Sequence, residues 1–498
     1  MPTAEGFKVV LTADDTLMAR YDVLFDGMVV ASQTTTTPGF LMQGLLMPKA
    51  GTVDGRARLA PLGLRRIEAA LLAGGFDPEE VAVVPASALE DAIGPATRVV
   101  GVSGGEPGGG GMNSSTMVGV AGGTIYPLAA YRRVLRQIRS ARCRAPQIKV
   151  LYGGPGAWQV AQAPQTDVDH VVLGYAEANV AAIVRSLCRG DALPAIVPGV
   201  SPEAADIPAI RGPSTMGVVE VSRGCGLGCD FCSIAREPMR HLPVETIVQD
   251  ARTNVAAGRT SIAALSEDFF RYGAHGIQAN PSAVIAMLER LREIEGLRLV
   301  QIDHANIVSV AQFDDSQLAA IRSLLTKGQR HDYLWVNLGV ECASGELLAS
   351  HGGRAKIGST EPSQWESLCR REIERLCRHG YFPMVSLVMG LPGETPTHVK
   401  QTLEFVRSLR GMRVSVFPML LAPLDGSRAP TGADLTRLHW DLIRESYKFN
   451  FKWVPKMYWD NQTGAGTPLA RRLALQALGK GQVLQWSLLF ALRSMRAK

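Results

Sequence analysis

Ser222-Arg223-Gly224-Cys225-Gly226-Leu227-Gly228-Cys229-Asp230-Phe231-Cys232 puts three cysteines, spaced x3 and x2, into one glycine-containing loop. Thiolates that close along the chain can converge on one metal cluster, and thiolate sulfur is the ligand iron–sulfur clusters use. A structural zinc site would normally add a fourth Cys or His nearby to close its tetrahedron. The loop offers none, and a zinc knuckle is the bland alternative. Three ligands on a four-iron cube leave one iron open, which points to chemistry. Cys225, Cys229 and Cys232 are therefore the expected metal ligands.

The loop directly follows an apolar run, and that run opens a series. Strand candidates at 218–222, 261–265, 297–302, 334–340, 384–389 and 414–420 are separated by stretches with helical spacing. One of these, 244–257, is entered through Pro243 and ended by Gly258, with Ile247, Ala251 and Val255 on one face. Six βα units argue for a partial parallel barrel, whose active site lies at the carboxyl ends of the strands. Those ends carry Ser266-Glu267-Asp268, Asp303-His304, Gly339-Val340-Glu341 and Met389-Gly390-Leu391-Pro392-Gly393-Glu394-Thr395.

Upstream, segments at 8–13, 81–85, 99–103, 148–152 and 170–173 read as strands, and 62–72, 131–141 and 179–188 as helices. That rhythm fits an open parallel sheet wound on both faces, with ligands beyond the strand carboxyl ends. The glycine-rich loops fall there: Ser103-Gly104-Gly105-Glu106-Pro107 with 108–111, then Gly153-Gly154-Pro155-Gly156, then Gly174-Tyr175-Ala176-Glu177. A phosphate loop is another reading of 104–111, but no Lys follows as a P-loop requires. Residues 190–216, proline-rich and aperiodic, read as a linker. The expected division is 1–189, a Rossmann-like domain; 190–216, linker; 217–427, barrel; and 428–498, a helical region.

At 498 residues the chain exceeds one ordinary core. Its 46% hydrophobic and 20% charged residues are those of a globular protein, and a net charge of +6 over this length is no nucleic-acid footprint. The sequence shows no secretory signal and no apolar run long enough to span a bilayer, and the few cysteines do not form a disulfide framework. The expected compartment is the cytoplasm. Cys143, Cys188, Cys342, Cys369 and Cys377 stand singly and read as small apolar residues, with Cys342 notable for following Glu341.

Cys225-x3-Cys229-x2-Cys232, with an aromatic before the last cysteine, resembles the signature of radical S-adenosylmethionine (SAM) enzymes. The resemblance implies a [4Fe–4S] cluster whose open iron binds SAM, reductive cleavage of SAM to a 5′-deoxyadenosyl radical, and an electron donor such as flavodoxin or ferredoxin. It makes Glu267, Glu341 and Gly390 expected SAM contacts, Glu341 and His304 being the catalytic candidates. The N-terminal sheet resembles the cobalamin (B12)-binding domain found ahead of many such enzymes. On that likeness Ser103, Gly104, Gly153, Gly154, Gly174 and Glu177 are expected to line cobalamin. The Asp-x-His-x-x-Gly element that gives cobalt a histidine is absent, the corresponding stretch being Thr12-Ala13-Asp14-Asp15-Thr16. An empty Rossmann-like domain is the alternative. The two-domain likeness implies methyl transfer to an unactivated carbon. Radical cyclisation or carbon–carbon bond formation, on a lipid for instance, is the runner-up, and a non-catalytic iron–sulfur or cobalamin sensor is the reading outside enzymology. The substrate is a small molecule or a lipid.

From Asn461 to Lys498 six basic residues (Arg471, Arg472, Lys480, Arg493, Arg496 and Lys498) meet no acidic one, among leucines with Trp486 and Phe490. Such a helix either lies on a membrane surface or packs over the barrel.

Overall fold

The structure, a computed structural model, describes residues 5–329, 331–424 and 427–496. Residues 1–4 of the expected first domain, and Lys498, lie outside them. The chain divides into two compact units: residues up to Ser114 with Gly122–Val219 and Glu245–Arg259, and Ser115–Ala121 with Glu220–Val244 and the residues from Thr260 onward.

The first unit is built on six strands: β1 (Val9–Ala13), β2 (Val81–Val83), β3 (Val99–Ser103), β4 (Lys149–Gly153), β5 (His170–Leu173) and β6 (Ile196–Pro198). They are ordered β2-β1-β3-β4-β5-β6 and paired in parallel. β1 is buried at every position, as a strand covered on both faces must be. Val9, Leu11 and Ala13 pack with the helices Leu62–Ala73 and Val180–Arg189 in one core. Val10 points the other way, into a core shared with the helix Tyr126–Arg144. The strand order reverses between β1 and β3, the point where doubly wound sheets bind ligands.

The stretch expected to be a linker is part of this unit. β6 lies within it and pairs with β5 at the sheet edge, where Pro198 forfeits no ladder bond. Farther on, Ile210 N donates to Asp250 Oδ1 and Ser214 N to Asn254 Oδ1, each at 2.9 Å. Asp250 also pairs with Arg66 at 2.7 Å, both side chains being buried. The helix Val244–Ala256, expected in the barrel, thus has most of its length, from Glu245, in the first unit. Prolines hid the strand by breaking any periodicity.

The second unit holds β7 (Val218–Glu220, its last residue), β8 (Ser261–Leu265), β9 (Leu299–Ile302), β10 (His304–Ala305), β11 (Leu334–Glu341), β12 (Tyr381–Met389) and β13 (Ser415–Leu420). Two sheets result, β9-β8-β7 and β10-β11-β12-β13. Only Asp303 separates β9 from β10, and its carbonyl accepts from Asn337 N at 2.8 Å, so the six expected barrel strands form one curved series. The helices Pro281–Arg292, Asp315–Thr326, Trp365–Arg378 and Pro396–Ser408 connect them. The region after 428 forms Arg437–Gly464 and Leu469–Arg496, in the same unit as the barrel and not a domain of its own. Asn450, on the first of these helices, bonds both Val416 N and Val416 O at 2.7 Å and so covers the open edge at β13.

Candidate functional site

The cysteine loop begins where Ser222–Arg223 pairs with Arg240–His241. Gly224, Gly226 and Gly228 all have positive φ, +74°, +71° and +77°. A Cβ at Gly224 would overlap the Pro238 carbonyl, so only glycine lets the chain turn there. Cys225 N donates to Glu237 O and Gly228 N to Ala235 O, both at 2.9 Å. Arg271, buried, donates to the Cys225 carbonyl at 2.9 Å and to Gly276 O. His351 bonds Asp230 at 3.0 Å and the Pro392 carbonyl at 2.6 Å, tying the loop to the turn after β12. Burial pushes all three thiols up, Cys229 to about 11; Cys229 and Cys232 also feel the charge of Cys225. Three neighbouring thiols on one loop, with no further His or carboxylate grouped with them among the described residues, fit an iron–sulfur cube with one open iron.

β11 ends in a bulge at Gly339/Glu341, and Glu341 takes φ +64°, a conformation non-glycine residues rarely adopt. Its carboxylate pairs with Lys356, and both side chains are buried. A Cβ at Gly339 would overlap both Glu341 Oε1 and Lys356 Nζ, so this glycine makes room for the pair. Burial opposes the Lys356 charge, but Glu341 and the thiols of Cys229 and Cys225 hold the amine protonated. The pair therefore stands beside the cysteine loop.

Glu267, after β8, is raised by burial, with His304 opposing the shift. Its neighbour Asp268 takes a structural part, accepting from Ser309 Oγ at 2.5 Å and Asn306 N at 3.1 Å. Burial would lower His304, but Asp303, 3.0 Å from Nδ1, lifts it to about 9 with help from Glu267 and Glu341. Gly390 has φ +84° and donates to Glu394 Oε2 at 2.9 Å, which His439 Nε2 meets at 3.0 Å. The structure thus gathers Glu267, His304 and Glu341 near Lys356 and the cysteines. Cys342 is core instead: its Sγ donates to Ser344 O at 3.1 Å, and burial pushes it to about 12. Lys356 and Arg271 escaped the sequence reading. The two glycines before Lys356, in His351-Gly352-Gly353, were the available hint, since Gly352 packs against the Gly228 carbonyl.

In the first unit Ser103, the last residue of β3, and Gly104 stand at the switch point beside Gly153, the last residue of β4, and Gly154. Gly154 has φ +89°, and its Cβ would fall 2.5 Å from Ser103 Oγ. Gly174 is exposed at φ +87° with open space around it, and Glu177 is half-buried three residues on. A Cβ at Gly104 would come 2.6 Å from Tyr152 Oη. That hydroxyl is buried and, among the described residues, meets no hydrogen-bond partner, as is true of Tyr131 Oη, whose ring packs 5.4 Å away. Asp14, also there, is raised to about 6 by burial and accepts from Thr16 N at 2.9 Å. An orphaned hydroxyl beside a glycine-lined crevice fits a bound polar ligand with a flat body. The phosphate-loop alternative fares badly: Gly108 N donates to Gln159 Oε1 at 2.8 Å and Gly111 N to Glu106 Oε2 at 2.9 Å. Those amides are spent on side chains.

A parallel half-barrel with three thiols at the end of its first strand defines an iron–sulfur enzyme scaffold. The family model described as Radical SAM superfamily matches residues 219–406, and this segment is a radical SAM domain. Such a domain takes a [4Fe–4S] cluster and SAM. Among curated proteins, the ribosomal protein uS12 methylthiotransferase RimO of Pelobacter propionicus is 24% identical over 248 residues, 48% of this chain and 51% of that protein. RimO of Anaeromyxobacter sp. is 26% identical over 286 residues, 56% of this chain and 55% of that protein. The chain thus spans about half the length of the curated relatives it matches. Among solved structures, the radical SAM methyltransferase TsrM from Kitasatospora setae, with cobalamin and a [4Fe–4S] cluster bound, is similar in fold. Its TM-score is 0.54 at 15% identity, covering 83% of this chain and 72% of that one.

Proposed function

We propose that this chain is a cobalamin-dependent radical SAM enzyme that methylates an unactivated carbon. The observation that supports it is the pairing, in one chain, of a three-thiol loop on a parallel half-barrel with a doubly wound sheet whose glycine-lined switch point holds the orphaned Tyr152 hydroxyl. The Kitasatospora setae protein, of similar fold, was solved with both cofactors. When bound, the cluster and cobalamin supply electron delivery to SAM and carriage of a methyl group.

The chain supplies binding, orientation and protons. Cys225, Cys229 and Cys232 hold the cluster. Glu341 and Glu267 offer carboxylates to the amino group of SAM, and Lys356 offers the opposite charge to its carboxylate. The turn at Gly390 borders the rest of SAM. Ser103, Gly104, Gly153, Gly154, Gly174 and Glu177 hold cobalamin, Tyr152 Oη donating to it. His304, cationic at neutral pH, is placed to give a proton at the site.

The test is an anaerobic reaction of the reconstituted holoprotein with SAM labelled in its methyl group, offered a fraction of small metabolites and lipids. A product that gains one labelled methyl in place of hydrogen is expected. A product that loses two hydrogens and carries no label would replace this reading with cyclisation or coupling.

A further inference from the structure

We propose that the two C-terminal helices form a docking surface for anionic phospholipid bilayers. Leu469, Leu473, Leu484, Leu488, Leu492 and Met495 are 50 to 74% exposed. They recur at intervals that place them on one face of the helix Leu469–Arg496. The opposite face packs inward. Phe490 is buried, its ring centroid 4.7 Å from Tyr447 and 6.3 Å from Phe451, and Trp486 lies 5.6 Å from Tyr447. The helix therefore packs with its aromatic residues and leaves a leucine stripe that none of the described residues covers. A single exposed leucine needs no explanation, but five leucines and a methionine on one face do.

The neighbouring helix tells what covers the stripe. Arg444, Lys448, Lys452 and Lys456 recur every fourth residue on Arg437–Gly464 and all four are exposed. Arg444 Nη1 donates to Ser494 Oγ at 3.4 Å, so this row of cations borders the leucine-bearing helix. Lys448 shares Glu445 at 2.5 Å, whereas Lys452 and Lys456 stand over the Trp453 ring at 4.7 and 4.9 Å, with no carboxylate paired to either among the described residues. The leucine helix adds Arg471, Arg472, Lys480 and Arg493 and no acidic residue. Two copies of this surface set face to face would bring cations against cations. An anionic headgroup layer complements it, taking the leucines at the acyl boundary and the ammonium groups at the phosphates. Among the described residues no helix is long and apolar enough to cross a membrane, so the proposed contact runs along the bilayer surface.

The experiment is vesicle co-sedimentation of the full-length, cluster-loaded protein with phosphatidylcholine vesicles and with vesicles also containing phosphatidylglycerol. Binding is expected to be on the order of tenfold stronger to the anionic vesicles and to fall as salt rises. The triple variant Leu484→Gln, Leu488→Gln, Leu492→Gln should lose that binding, and so should Lys448→Gln, Lys452→Gln, Lys456→Gln. Both keep iron content and circular dichroism unchanged, because every altered side chain is exposed. Equal binding by wild type and both variants would overturn the proposal. So would absence of binding at low salt, or sedimentation as a dimer that the leucine variant dissociates.

Discussion

Lys356 is the side chain whose removal is most informative, because it neutralises a buried carboxylate held in a left-handed backbone conformation. Lys356→Met should lower stability in urea unfolding by about 3–5 kcal/mol, the usual penalty for leaving one buried charge unpaired. Adding Glu341→Gln should recover much of that loss. A single variant as stable as wild type would mean that the pair is solvated and unimportant. His304 offers a proton-linked test. Its value of about 9 lies above that of an unfolded histidine. The stability it contributes is therefore complete below about pH 6.5 and disappears as pH rises through about 9. Asp303→Asn should bring the His304 titration, followed by nitrogen NMR of labelled histidine, down toward about 6.5. A titration that stays put would assign the shift elsewhere. Glu341, Glu267 and His304 could be found from sequence because each sits at a strand end. Lys356 was harder to find, because its role arises from a return of the chain that only the glycine pair Gly352-Gly353 hints at.

Turns decide where the elements put their chemistry. Gly224→Ala asks a side chain to adopt φ +74° against the Pro238 carbonyl. Anaerobic reconstitution of this variant should recover less than half of the wild-type iron, and full recovery would show the loop to be tolerant. Gly154→Leu should abolish the absorption of bound cobalamin when hydroxocobalamin is offered, with iron content unchanged. Retained cobalamin would move the ligand away from the switch point. The six barrel strands were legible because buried parallel strands are near-continuous β-branched runs. β6 was not: its Ile-Val-Pro is too short for periodicity and is flanked by prolines. Trp486 and Phe490 were ambiguous in another way. Composition left them between a membrane surface and packing over the barrel; they pack against Tyr447, and the leucines take the exposed side.

The chain as a whole does not divide at its proline-rich stretch. Arg66, Ile210 and Ser214 all find partners on a helix that follows the first barrel strand. A fragment ending at residue 216 should therefore lack cooperative unfolding, whereas one ending there yet folding with a sharp transition would restore the linker reading. Sequence spacing could not disclose this, since no periodicity reports which unit a helix joins. The two-unit plan, with a cysteine loop on one and a glycine-lined sheet in the other, is what supports a cobalamin-dependent radical reaction. Its foundation is the chemistry of the loop, and SAM cleavage reads that out without any knowledge of the substrate. Anaerobically reconstituted protein should hold about four irons per chain and release 5′-deoxyadenosine from SAM under a strong reductant. Cys229→Ala should lose cluster and cleavage together. Wild-type cleavage by Cys229→Ala would contradict the assignment of the radical site to this loop.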